Sequence, residues 1–209
     1  MRNPAPWSDR ILPLALLVLA AFLVFTNLGG GGLRNGDEAR YAIVAQEILH
    51  TGDPVTLHYE GQPYFQKAPL RFWISAATYR LFGAGEFTVR FWSALAGLGC
   101  VVATWWLGRR LWGPWAGLAA ALVLMTSPAF LHVHGARTGE MDTLLTLCWL
   151  LALVPLTGER LGRNGFLTAC FFAALCGMTK HLAFAPLAFL SLGLGLLATG
   201  RWRDLTRLW

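Results

Sequence analysis

Apolar runs recur along this chain too often, and at too great a length, for a water-soluble domain. Ile11 to Leu28 is about 18 residues long, close to the roughly 20 that a helix needs to cross a bilayer core. Further apolar runs lie at about 91–107, 115–131, 143–156, 166–178 and 182–199. Charged residues make up 13% of the chain, against about 25% in ordinary soluble domains. The expected fold is therefore an all-α polytopic membrane protein with about six spans. A cleaved signal peptide has a shorter apolar core, typically about 7–15 residues. The first run ends instead in Thr26-Asn27-Leu28 and the glycines Gly29 to Gly32, so it reads as a retained helix.

Charge placement sets the expected orientation. Arg2 and Arg10, Arg109 and Arg110, Arg160 and Arg163, and Arg201, Arg203 and Arg207 sit in short segments between alternate runs. The positive-inside rule assigns those segments to the cytoplasm. The loop 29–90, the turn 132–142 and Lys180-His181 then share the outer face. Trp105, Trp106, Trp112 and Trp115 would belt the inner interface, with Phe91 and Trp92 at the outer one. The net charge of +6 does not imply nucleic acid, because the arginines are dispersed between apolar runs rather than gathered in one patch. Cys100, Cys148, Cys170 and Cys176 all lie within apolar runs, with no CxxC spacing. They read as small buried hydrophobes.

Against this background the segment 35–90 stands out, with two dense patches: Gly36-Asp37-Glu38-Ala39-Arg40-Tyr41 and Tyr64-Phe65-Gln66-Lys67-Ala68-Pro69-Leu70. Asn35 and Glu38 have capping-box spacing, predicting a helix to Leu49 that stops before Gly52. Ala42, Ala45 and Leu49 would line its apolar face, while Asp37, Arg40 and Tyr41 share another at i, i+3, i+4. Pro69 suits the first turn of a second helix, running to Phe82 before Gly83. Arg71, Ser75 and Thr78 form its polar stripe. Both are too short and too polar to span, and they are expected to lie in the interface plane.

Two readings stay open for the charged residues here. Asp37 and Glu38 could act as general base, cation ligand or acceptor-binding group, or simply favour the positive end of a helix. Arg40 and Lys67 could meet the developing charge of a lipid-linked phosphate, or snorkel at the bilayer edge. Lys67 also precedes a helix N-terminus, itself an anion-binding feature. His132 and His134 alternate in the outer turn, but two histidines are too few for a closed metal site. Lys180 and His181 read as interface anchors or as further groups facing the same cavity. Trp149 and Met125 read as packing residues.

These patches in order, with Val89-Arg90-Phe91 opening a span and Arg137-Thr138-Gly139-Glu140-Met141-Asp142 before the next, resemble one family. It is the bacterial GT-C-type membrane glycosyltransferases, the protein O-mannosyltransferase-like group that includes the aminoarabinose transferases acting on lipid A. The resemblance covers essentially the whole chain, and implies an N-terminal portion of such an enzyme. It implies a polyprenyl-phosphate sugar donor (hexose, or pentose such as aminoarabinose), a lipid, glycan or protein acceptor, and inversion at the outer face of the bacterial cytoplasmic membrane. By matching positions, Asp37 would be the catalytic base, Arg40 and Lys67 would hold the lipid phosphate, and Glu38, Tyr41 and Asp142 would complete the substrate-binding cavity. Gln66 stands where aminoarabinose transferases commonly carry Glu. An amide is a poorer metal ligand than a carboxylate, so no metal is assigned, and a divalent ion is left open as cofactor.

A transporter or channel subunit is the alternative class, and a non-catalytic lipid-binding protein a third. Transporters place ionisable groups near the bilayer midplane. Here the centres of the runs lack charge and the ionisable groups gather on one face, which favours interfacial chemistry on a lipid-borne substrate.

Overall fold

The computed structural model describes residues 8–33, 36–158, 160–198 and 200–205. Asn35, Arg2 and Arg207, named above for capping and orientation, lie outside them. Ten α-helices in the described residues run α1 Ser8–Phe25, α2 Asp37–Thr51, α3 Leu70–Phe82, α4 Glu86–Trp112, α5 Pro114–Thr126, α6 Pro128–His132, α7 Asp142–Leu153, α8 Arg163–Thr179, α9 Phe184–Ala198 and α10 Trp202–Leu205. A 3-10 turn, Val154–Thr157, continues α7, and a two-residue hairpin, β1 His58–Tyr59 with β2 Gln62–Pro63, lies between α2 and α3.

Helix α4 organises the rest. Its 27 residues span about 40 Å at 1.5 Å per residue, and by length and composition it alone among the described residues could cross a membrane unaided. It begins five residues earlier than the apolar run because Thr88 Oγ1 accepts the Gly85 amide at 2.9 Å. It stops where Gly113 adopts φ 97° ahead of Pro114. Helix α5 folds straight back along it. A Cβ on Gly117 would sit 2.5 Å from the Trp105 carbonyl, so the two backbones touch at a small-residue seam of the kind membrane helices use. The expected run 115–131 is not one helix. Pro128 lacks an N–H and biases its predecessor toward extended backbone; Ser127 is extended and splits the run into α5 and α6.

Three apolar clusters hold the helical layer. Leu16, Ala20, Val101, Ala121 and Met125 join α1, α4 and α5. Val24, Leu28, Ala94, Leu131 and Ala136 continue that contact toward the opposite end. Leu145, Cys148, Ala169, Ala173, Cys176, Ala188 and Leu192 join α7, α8 and α9, with Trp149 Nε1 donating to Ser191 at 3.0 Å. The cysteines are free.

Helices α2 and α3 pack on one another around a core of their own: Tyr41, Val44, Ala45, Ile48, Phe72, Ala76 and Tyr79, closed by Val89 and Met141. One expectation needs correction here. Leu49 is exposed at 41%, and Ile48 is buried in its place. The stripe Arg71, Ser75 and Thr78 is buried. Arg71 donates to Ser75 Oγ and, at 2.6 Å, to the Val89 carbonyl, while Thr78 accepts Trp92 Nε1 at 2.6 Å. The polar stripe is the seam where α3 docks on α4. A helix period alone cannot tell a solvated stripe from a buried hydrogen-bonded one.

The centre of this docking is an ion pair. Arg90 Nε and Nη2 reach both oxygens of Glu38 at 2.7 and 3.2 Å, and Nη1 donates to the Leu28 and Gly30 carbonyls at 2.9 and 3.0 Å. Glu38 also accepts the Gly139 amide at 2.8 Å. A Cβ on Gly139 would lie 2.7 Å from Val89 Cγ1 and 2.9 Å from Glu38 Cγ, so only glycine lets that amide approach. Losing one partner of a buried pair strands the other charge, at a cost of about 3–5 kcal/mol. Glu38→Ala should therefore lower thermal stability in detergent by that order, and Gly139→Ala by about 1–3 kcal/mol through overpacking. Tryptophan-fluorescence melting checks both; wild-type melting of either variant would contradict this account.

Candidate active site

The polar side chains segregate to the two ends of the helical layer. At one end, Arg110 Nε donates to the Thr157 carbonyl at 2.9 Å, Arg201 caps the Leu156 carbonyl, and Asp204 accepts the Leu161 amide at 3.1 Å. Arg109 and Arg110 lie over the Trp105 and Trp106 rings. At the other end, Arg90 ties the α1–α2 loop to α4, and Arg137 donates to the end of α1 at the Leu23 and Thr26 carbonyls. The Ala68 amide donates to the Lys180 carbonyl at 3.2 Å, joining the loop before α3 to the turn before α9.

Asp37 opens α2, and its two oxygens have separate partners. Arg40 Nη1 donates to Oδ1 at 2.9 Å and the Tyr41 hydroxyl to Oδ2 at 2.8 Å. All three follow from one helical turn, at i, i+3 and i+4. Consecutive residues project about 100° apart around a helix, so Glu38 faces inward to Arg90 while Asp37 remains part-exposed at 34%. Burial, then the Asp37 hydrogen bond, push the Tyr41 hydroxyl well above its ordinary range, which keeps it a proton donor to that carboxylate. The Arg40 guanidinium lies 5.9 Å from the centre of the Tyr59 ring, and its charge opposes the burial that raises Tyr64.

A second group lies on the 134–142 loop and the turn before α9. Lys180 Nζ donates to Asp142 Oδ1 at 2.6 Å. His134 Nδ1 contacts Glu140, and the Glu140 charge is felt by Tyr41. His134, Glu140 and Asp142 offer ligand atoms within 4.8 Å of one another, a donor set a divalent ion could use. Asp142, however, already neutralises the Lys180 ammonium. His132 borders a polar cavity of about 210 Å³ with Arg90, Arg137 and Glu38.

The site residues named from sequence thus divide. Asp37, Arg40 and Tyr41 are joined directly, and Asp142 is joined to Lys180. Lys67 lies half-buried beside His181, Nζ to Nε2 3.5 Å. Glu38 is 3% exposed, with both oxygens engaged by Arg90, and it ties α2 to α4. Tyr41 contributes only its hydroxyl, because the ring is buried edge-on against Phe72. Tyr59, Tyr64 and Glu140 carry no site role in the sequence reading, and Lys180, read there as an anchor or a cavity group, pairs with Asp142. Glu140 sits within the Arg137–Asp142 patch, and Lys180 is a rare charge between two apolar runs. Those were the available signals.

Residues 66–208 match the family described as dolichyl-phosphate-mannose-protein mannosyltransferase. The chain belongs to that family. Among its relatives, the undecaprenyl phosphate-alpha-4-amino-4-deoxy-L-arabinose arabinosyl transferase of Edwardsiella ictaluri is 30% identical over the whole chain, which spans 36% of that protein. One of the corresponding transferases of Pseudomonas fluorescens is 40% identical over 55% of the chain and 21% of its own length. The crystal structure of ArnT from Cupriavidus metallidurans bound to undecaprenyl phosphate superposes with a TM-score of 0.81 at 27% identity, over 94% of this chain and 37% of that one. The chain thus spans about a third of the length of such family members, and across that third it shares their helical architecture.

The His134–Glu140 contact predicts a pH dependence. The hydrogen bond, then the charge of Glu140, raise this imidazole above its ordinary 6.5. A raised value means that the contact's stabilisation is fully present below about pH 6.5 and is lost as pH rises through the folded value. The side chain is 62% exposed, so screening keeps the effect under about 1 kcal/mol. An NMR titration should show His134 holding its proton to higher pH than in Glu140→Gln; coincident titration curves would contradict the pairing.

Proposed function

We propose that this chain forms the donor-phosphate side of an inverting glycosyltransferase. It takes a sugar from a polyprenyl-phosphate donor to a lipid, glycan or protein acceptor at the outer face of the bacterial cytoplasmic membrane. The observation that carries this reading is the carboxylate of Asp37 held by two donors, Arg40 and Tyr41, on one turn of α2. Lys67 and Lys180 stand on loops that the Ala68 amide ties together. The opposite end carries Arg109 and Arg110 in the last turn of α4 and Arg201 in the turn before α10, which supports a cytoplasmic placement for that end and an extracytoplasmic one for the site. The names of the relatives point to 4-amino-4-deoxy-L-arabinose as the sugar.

In this reading the acceptor hydroxyl gives its proton to Asp37 as its oxygen bonds to the anomeric carbon from the face opposite the phosphate. The bond from that carbon to the phosphate oxygen breaks, and its electron pair stays on the phosphate. Lys67 meets the charge that develops, which is where a fixed cation lowers a barrier. Arg40 spends one of its five N–H donors on Asp37 Oδ1, so it links the base to the phosphate. Asp142 sets the position of Lys180. A transporter would need its ionisable groups deep among the helices; gathered at one end, they favour group transfer.

Transfer of sugar from undecaprenyl-phosphate aminoarabinose to lipid A in membranes tests this. Asp37→Asn should lower the rate about 10²–10⁴-fold, the usual contribution of a positioned base. Lys67→Ala should cost about 10²-fold or more. Parent-like rates in both variants at equal expression would refute the assignment.

A further inference from the structure

The turn between α8 and α9 brings two basic side chains toward the site, and their partners differ. Lys180 is neutralised by Asp142. His181 instead reaches the loop before α3, its Nε2 lying 3.5 Å from Lys67 Nζ across 114 residues of sequence. The geometry is fixed from both sides. The Ala68 amide holds the Lys180 carbonyl, and the His181 ring stacks on Phe184 at 6.4 Å and 23°. The imidazole is exposed and Lys67 half-buried, so the pair opens outward.

An ammonium has donors only. Nε2 therefore faces Lys67 as an acceptor when the ring is neutral, and a protonated ring would set two cations side by side. An anion with several oxygens relieves that conflict by accepting from both. Helices α3 and α9 begin three residues beyond Lys67 and His181, at Leu70 and Phe184, so both point their positive ends here. The other charged groups facing the pair are Lys180 and Asp142, with His134 and Glu140 behind them on the 134–142 loop.

We infer that His181 is a second ligand, beside Lys67, for the lipid-borne phosphate, and that it grips the phosphate monoester left after sugar transfer more tightly than the donor diester. The inference rests on the reading of Lys67 given above. The donor phosphodiester carries one negative charge. When the bond to the anomeric carbon breaks, the electron pair remains on the phosphate, and the monoester can carry two. His181 takes a proton from solvent, its Nε2 becomes a donor, and the added charge is matched. Imidazole is suited to this because its protonation changes within the physiological pH range.

Binding of undecaprenyl phosphate to the purified protein in nanodiscs, at about pH 6 and about pH 8.5, tests the inference. The parent should bind roughly tenfold more weakly at the higher pH, the scale of one charge-assisted hydrogen bond. The lipid's own second ionisation acts in the opposite sense and is common to all variants. His181→Gln should bind weakly with no such loss, and His181→Lys tightly at both pH values. Lys67→Ala should bind weakly throughout. If His181→Gln keeps the parent's pH dependence, or the parent has none while Lys67→Ala still weakens binding, this inference falls and the role of Lys67 stands. If Lys67→Ala binds like the parent, both fall.

Discussion

The pairing of Glu38 with Arg90 is the interaction on which the rest of the architecture depends. Both side chains are almost fully buried, where unpaired charge is costly. The structure offsets that cost with a bidentate contact, the Gly139 amide on Glu38, and loop carbonyls on Arg90. Through it one short helix, the loop after α1, the start of α4 and the 137–142 segment acquire a common frame. Asp37 is the neighbour of Glu38 in sequence, so fixing Glu38 inward fixes Asp37 outward. The residue that anchors and the residue that stays part-exposed are set by a single helical step.

The same frame explains how weakly connected pieces form one polar surface. Asp37, Arg40 and Tyr41 come from one turn of helix and need no tertiary contact to meet. Lys67, Asp142, Lys180 and His181 come from three separate segments. They converge because the Ala68 amide meets the Lys180 carbonyl and Lys180 meets Asp142. Exposed ion pairs contribute little stability. The part-exposed Lys180–Asp142 pair is better understood as positioning, with the apolar clusters of α7, α8 and α9 supplying the energy that holds it.

Much of the helical layer was legible in the sequence, because an apolar run in a low-charge chain has few alternatives to helix. The ends of α2 and α3 were legible as well, from Gly52 and Gly83. Less legible were the faces. Arg71, Ser75 and Thr78 share a stripe by period alone, yet they turn inward, since the Val89 carbonyl and Trp92 give that stripe better partners than water. Leu49 and Ile48 exchanged roles because the buried face of α2 runs through Tyr41, Val44, Ala45 and Ile48, which turns Leu49 one helical step away from it.

From the sequence alone came the class of fold, the segregation of charge to alternate segments, and the local triad of Asp37, Arg40 and Tyr41. Hydrophobicity, the positive-inside bias and helical spacing are all properties of short stretches of chain. Tertiary structure alone decided that Glu38 is an anchor, that Lys180 belongs with Asp142, and that His181 stands beside Lys67. Those pairings join residues 38 to 114 positions apart. Partners at that separation are chosen by the packing of whole helices, which no local pattern encodes.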